Sequence, residues 1–120
     1  LRAHIALAER FQGWIEASPD FELLAPVSFS VVCFRNRPCG LPAGPETEAY
    51  LNRLNERVLE SVNRTGEVFL SHTELNGRFT LRLAIGNLRT TEAHVRRAWD
   101  LLQEHAARLD AELRPAALKA

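Results

Sequence analysis

The sequence predicts an α+β fold in the order α-β-β-α-β-β-α, a four-stranded antiparallel sheet with three helices on one face. Three observations predict it. Apolar residues recur at three- and four-residue spacing in three separate stretches. Pairs of short segments rich in β-branched and aromatic residues lie between those stretches. The second pair is joined by Asn76-Gly77, the strongest short-range signal for a hairpin. Strands paired in hairpin fashion between helices favour one antiparallel sheet with the helices gathered on one side.

Leu1, Ile5, Ala8, Phe11, Trp14 and Ile15 fall on one side of a first helix over Leu1 to Ala17, which Ser18-Pro19-Asp20 breaks. Phe21 to Ala25 and Ser28 to Phe34 read as two strands joined near Pro26 and Val27. The first is expected at a sheet edge, where proline is tolerated. Arg35 to Pro45 carries three prolines and two glycines and reads as an exposed loop. Leu51, Leu54, Val58 and Val62 mark a second helix over Glu46 to Arg64, with Gly66 as its C-terminal cap. Strands over Glu67 to Thr73 and Arg78 to Gly86 flank the Asn-Gly turn. Thr90 or Thr91 caps a third helix, whose stripe runs from Val95 through Ala98, Trp99, Leu102, Ala106 and Leu109 to Leu113. Glu92 with Arg96, and Glu104 with Arg108, are spaced to pair on its wet side.

A chain of 120 residues has room for one domain with a real core. Its 15 basic and 15 acidic side chains cancel, so there is no global field to draw nucleic acid or an anionic membrane. No stretch reaches the ~20 apolar residues of a membrane span, and the chain is expected to be soluble. Fourteen of the basic residues are Arg, Lys119 is the one Lys, Met is absent, and the sequence opens at Leu1 already in a helical pattern. These features suggest a piece of a longer polypeptide. Cys33 and Cys39 make neither a disulfide framework nor a zinc spacing, which points to a reducing, cytoplasmic compartment.

Most chemically capable side chains have a structural explanation. Cys33, between Val32 and Phe34, is expected to be a packed core thiol, and Cys39 an incidental thiol on the loop. His94 and His105 share a helical face but lack a third ligand, so no metal site is expected. His72 is expected to pack on the hairpin, His4 carries no signal, and Trp14 and Trp99 belong to the core. Arg82 differs. Period-two alternation sends Phe79, Leu81, Leu83 and Ile85 to one sheet face and Arg78, Thr80, Arg82 and Ala84 to the other. In Ser28 to Phe34, Phe29, Val31 and Cys33 oppose Val32 and Phe34, so both faces are apolar. Something outside this chain is expected to cover the second face.

VCFR (Val32 to Arg35), LRLAI (Leu81 to Ile85) and TTEAHVRRAW (Thr90 to Trp99), in this order and spacing, resemble the C-terminal small domain of pyridoxal-phosphate-dependent group II amino-acid decarboxylases, the aromatic-L-amino-acid decarboxylases most of all. The resemblance runs from Leu1 to about Ala107, with 1–113 as the domain and 114–120 as a tail. It departs from the family in the longer, Pro-rich loop Cys39 to Pro45. It implies a parent enzyme that turns an aromatic amino acid into its amine and CO2, a large domain of the same polypeptide that binds pyridoxal phosphate, and a cytoplasmic homodimer. The Schiff-base lysine and the catalytic loop are implied to lie in that large domain, so the chain alone has no catalytic residue and is expected to bind no cofactor. Arg82 matches the place of a small-domain arginine that grips the substrate carboxylate, and its other reading is a structural ion pair at the domain interface. A stand-alone ligand-binding or regulatory module is the competing function; it would wet or seal the second sheet face itself.

Overall fold

The computed structural model describes residues 2–86 and 90–119. Helix α1 (Arg2–Ala17) is followed by β1 (Phe21–Leu23) and β2 (Val31–Asn36), then α2 (Pro45–Arg64), β3 (Ser71–Leu75), β4 (Arg78–Ala84) and α3 (Glu92–Leu113). A short 3-10 turn, Ala116–Leu118, closes the chain. The four strands form one antiparallel sheet in the order β1-β2-β4-β3, with β1 at an edge as its proline suggests. Of the expected elements, Leu1 of the first helix and the stretch 87–89 before the third lie outside the described residues.

The hairpin forms as its turn chemistry requires. Asn76 and Gly77 take φ of 53° and 76°, the two positive angles of a type I′ turn. Other boundaries move. The strand expected from Ser28 begins only at Val31, because Ser28 and Val31 close a tight turn through paired backbone hydrogen bonds of 3.0 and 3.3 Å. Phe29 sits in that turn at φ 56° and is 80% exposed, so it belongs to neither sheet face. At its other end β2 takes in Arg35 and Asn36, which the loop was expected to hold. Both are buried because each finds partners: Arg35 two carboxylates, and Asn36 the side chain of Asn55.

Strand β3 likewise starts at Ser71 rather than Glu67. Asn63 at the end of α2 takes Leu70 away from a sheet ladder, accepting its N–H at 2.7 Å and donating to its carbonyl at 2.8 Å. Strand β4 ends at Ala84, short of Gly86, and the Ile85 N–H turns to the Ser30 carbonyl. Thr91 caps α3 in a reciprocal box, accepting from the His94 N–H while His94 Nδ1 accepts from the Thr91 N–H. The wet-side pairs also differ from those expected from spacing. Glu92 reaches Arg10 on α1, Arg96 pairs with Asp100, and Arg108 pairs with Glu112.

The core lies between the sheet and the helices. Val32, Phe34, Leu81 and Leu83 face Phe11 and Ile15 of α1, Leu51, Leu54 and Val58 of α2, and Trp99 and Leu102 of α3. Leu118 of the terminal turn is buried in the same cluster. Asn55, fully buried, bridges α2 to the end of β2. Its Oδ1 accepts from the Asn36 N–H at 2.8 Å, and its Nδ2 donates to the carbonyls of Asn36 and Leu51. Asn55→Ala should strand a buried backbone donor and acceptor, costing about 1 to 3 kcal/mol in equilibrium denaturation. An unchanged midpoint would mean that water replaces the amide.

Candidate functional site on the helix-free sheet face

Cross-strand register decides what stands beside Arg82. Cys33 on β2 and Ser71 on β3 are both its direct partners, so the three side chains form one row across β2, β4 and β3. That row lies on the face away from the helices, with Val31 and Ala84 above it and Thr73 and Thr80 below. Val31, Cys33, Ser71, Thr73 and Arg82 are half-buried and Ala84 is exposed, while Thr80 below is fully buried, so the helices leave the Arg82 row and the part above it uncovered. Cys33 therefore does not enter the core as expected; the alternation that buries Val32 and Phe34 turns its thiol toward Arg82's side.

Arg82 donates from Nη1 to Ser71 Oγ at 3.4 Å. Among the described residues no carboxylate lies within ion-pairing distance of it. Arg35, on the same face, is the opposite case. It is 1% exposed, donating from Nε to Glu22 on β1 and from Nη1 to Glu48 on α2 at 2.9 Å, while Arg78 also reaches Glu48 at 3.4 Å. Burial works against the charge of Arg35, yet the hydrogen bonds to Glu48 and Glu22 outweigh it and hold its pKa above the ordinary value. Sequence reasoning placed Arg35 in the loop and missed it; only the extension of β2 puts it on Arg82's face, and nothing local identified Glu48, thirteen residues away, as its partner.

The remaining candidates have structural roles. His72 stacks on Phe79 with ring centroids 4.7 Å apart, the hairpin role expected of it. His94 serves the α3 cap, and His105 Nδ1 lies 2.6 Å from Ser61 Oγ across the α2–α3 contact. Among the described residues no group of three His, Cys, Asp or Glu side chains could hold a metal. His4 is half-buried on α1, and Cys39 is exposed on the loop. Trp99 is buried against Phe11 and Phe21, whereas Trp14 is only partly buried, with the Arg96 guanidinium 5.1 Å from its ring. Of two clefts among the described residues, one of about 230 Å³ beside Asp20, Asn36 and Arg114 and one of about 350 Å³ beside Phe69, Ala84 and His94, neither is lined by Arg82, although the second reaches Ala84 next to it on the same face.

No protein-family model matches the chain. Tyrosine decarboxylase 1 of Narcissus pseudonarcissus is 41% identical over 111 residues, covering 91% of this chain and 21% of its own length. Phenylacetaldehyde synthase of Arabidopsis thaliana is 40% identical over 109 residues, again 91% of this chain and 21% of its own. The crystal structure of Oryza sativa TDC with PLP and tryptamine matches with a TM-score of 0.82 at 35% identity, over 90% of this chain and 22% of that one. The chain spans about a fifth of the length of the relatives it matches. No described helix is long and apolar enough to cross a membrane.

Proposed function

We propose, from the chain's similarity to tyrosine and aromatic-L-amino-acid decarboxylases over about a fifth of their length, that it is the C-terminal small domain of a pyridoxal-phosphate-dependent enzyme that converts an aromatic L-amino acid to its amine and CO2. Residues 1–113 are assigned to that domain, and the tail 114–120 packs back onto it through Leu118. Pyridoxal phosphate, when bound, supplies the electron sink for breaking the carboxylate bond. The residues present do not fit that group, since Lys119, the one lysine of the sequence, is exposed beyond the last helix. Cofactor binding is therefore assigned to a large domain of the same polypeptide, and the isolated chain is inert. Phenylacetaldehyde synthase matches an equal share of the chain nearly as well, so the choice between amine and aldehyde is also assigned outside this segment. The homodimeric state and cytoplasmic location follow from the family resemblance alone.

Arg82 carries the reading. A half-buried guanidinium on a sheet face, with no carboxylate within ion-pairing distance among the described residues, is electrostatically incomplete and calls for an anion from outside. The substrate carboxylate is that anion. Two parallel hydrogen bonds from the planar fork orient it better than an ammonium could. Holding it in one direction aligns the bond to be broken, and because the grip exists before reaction, it contributes mainly to binding and orientation. Uncovered apolar surface at Val31 and Cys33 beside Arg82 supports the large domain as the cover and disfavours a stand-alone module. In the full-length enzyme Arg82→Lys should raise KM for the amino acid and slow turnover, with cofactor content unchanged. Wild-type kinetics with earlier melting would make Arg82 an ion pair of the domain interface instead.

A further inference from the structure

We propose that Ser71 is a second ligand of the carboxylate that Arg82 binds, its hydroxyl forming one anion site with the guanidinium; this rests on the reading of Arg82 given above. Ser71 is Arg82's direct cross-strand partner, so both side chains leave the sheet on the same face at the same height. The bond between them runs from Arg82 Nη1 to Ser71 Oγ, at 3.4 Å. Guanidinium nitrogens only donate, so the serine oxygen is the acceptor here and its own proton remains for another acceptor. No other hydrogen bond engages that hydroxyl among the described residues. An arginine leaning on a hydroxyl whose proton is uncommitted presents two kinds of donor side by side. A carboxylate, acceptor on both oxygens, is complementary to that pair, and the charge of Arg82 polarises the serine O–H toward it. Cys33, the partner on the other side, offers only a weak S–H donor, so the guanidinium and the hydroxyl together set the site on the β3 side of the row.

The reaction product supplies the discriminating probe, because the amine has lost the carboxylate and keeps the rest. In the full-length holoenzyme, KM for whichever of L-tyrosine or L-tryptophan is turned over is compared with the inhibition constant of the matching tyramine or tryptamine, for Ser71→Ala, Ser71→Thr and Arg82→Lys. Ser71→Ala should raise the amino-acid KM about tenfold, as loss of a hydrogen bond to a charged group does, and leave the amine constant unchanged. Ser71→Thr, which keeps the hydroxyl, should restore it. If Ser71→Ala moves neither constant, or both alike, this inference fails. If Arg82→Lys raises the amino-acid KM selectively while Ser71→Ala does not, only the serine is removed from the site. If neither variant separates amino acid from amine, the carboxylate role of Arg82 itself falls, and this inference with it.

Discussion

Trp99→Ala is expected to destabilise the fold by about 3 to 5 kcal/mol, the usual cost of deleting a large buried aromatic. Trp99 is 5% exposed on α3 and sits where α3 meets α1 and β1. Its ring packs edge-on against Phe11 of α1 at 5.8 Å and tilted against Phe21 of β1 at 4.9 Å, while Phe11 itself lies 5.3 Å from Phe34 of β2. Removing the indole takes the shared neighbour from helix α1 and the edge strand β1 at once, leaving a gap at the core of the helix–sheet contact. Equilibrium denaturation measures the loss; a change under ~1 kcal/mol would mean that α1 and β1 close over the gap.

The double variant Glu22→Gln with Glu48→Gln should cost about as much, 3 to 5 kcal/mol, because it strands the charge of Arg35 in a site that is 1% exposed. Arg35→Met should cost far less, ~1 kcal/mol or below. It removes the buried charge and fills the volume with an unbranched apolar chain, while both glutamates are more than a third exposed and can turn to water. The comparison separates the burden of an uncompensated ion from the worth of the pair; equal losses in the two variants would refute the distinction.

The same cluster sets a pH dependence whose sign is fixed. The hydrogen bond from Arg35 holds the Glu48 carboxyl below its ordinary value of 4.5, ahead of the opposing effect of burial. A carboxyl whose pKa is lower in the folded chain contributes stability above its unfolded pKa and loses it as pH falls through the folded one. The denaturation midpoint should therefore drop more steeply below about pH 4.5 in the wild type than in Glu48→Gln. Parallel curves would assign the acid loss to other carboxylates.

Periodicity and turn chemistry alone determined the element order, the three helical stripes, the Asn76-Gly77 hairpin and the edge position of β1, because each depends on residues a few positions apart. The helix-facing side of the sheet was legible for the same reason: alternation in β4 sends Leu81 and Leu83 inward and Arg82 outward regardless of what packs there. Tertiary structure decided everything that turns on partners far apart in the chain. Arg35 and Asn36 look like loop residues beside Pro38, yet pairing with Glu22 and Phe21 of β1 extends β2 to include them, and Glu48 and Asn55, brought over by α2, take the Arg35 guanidinium and the Asn36 backbone. Asn63 shortens β3 by claiming Leu70, and Arg10 draws Glu92 away from the residue one helical turn along. Register then places Ser71 and Cys33 beside Arg82, a juxtaposition of positions 71, 33 and 82 that no local pattern can express. A buried polar group accepts whichever segment completes its hydrogen bonds, and which segment is near enough is a property of the packed chain, not of its local pattern.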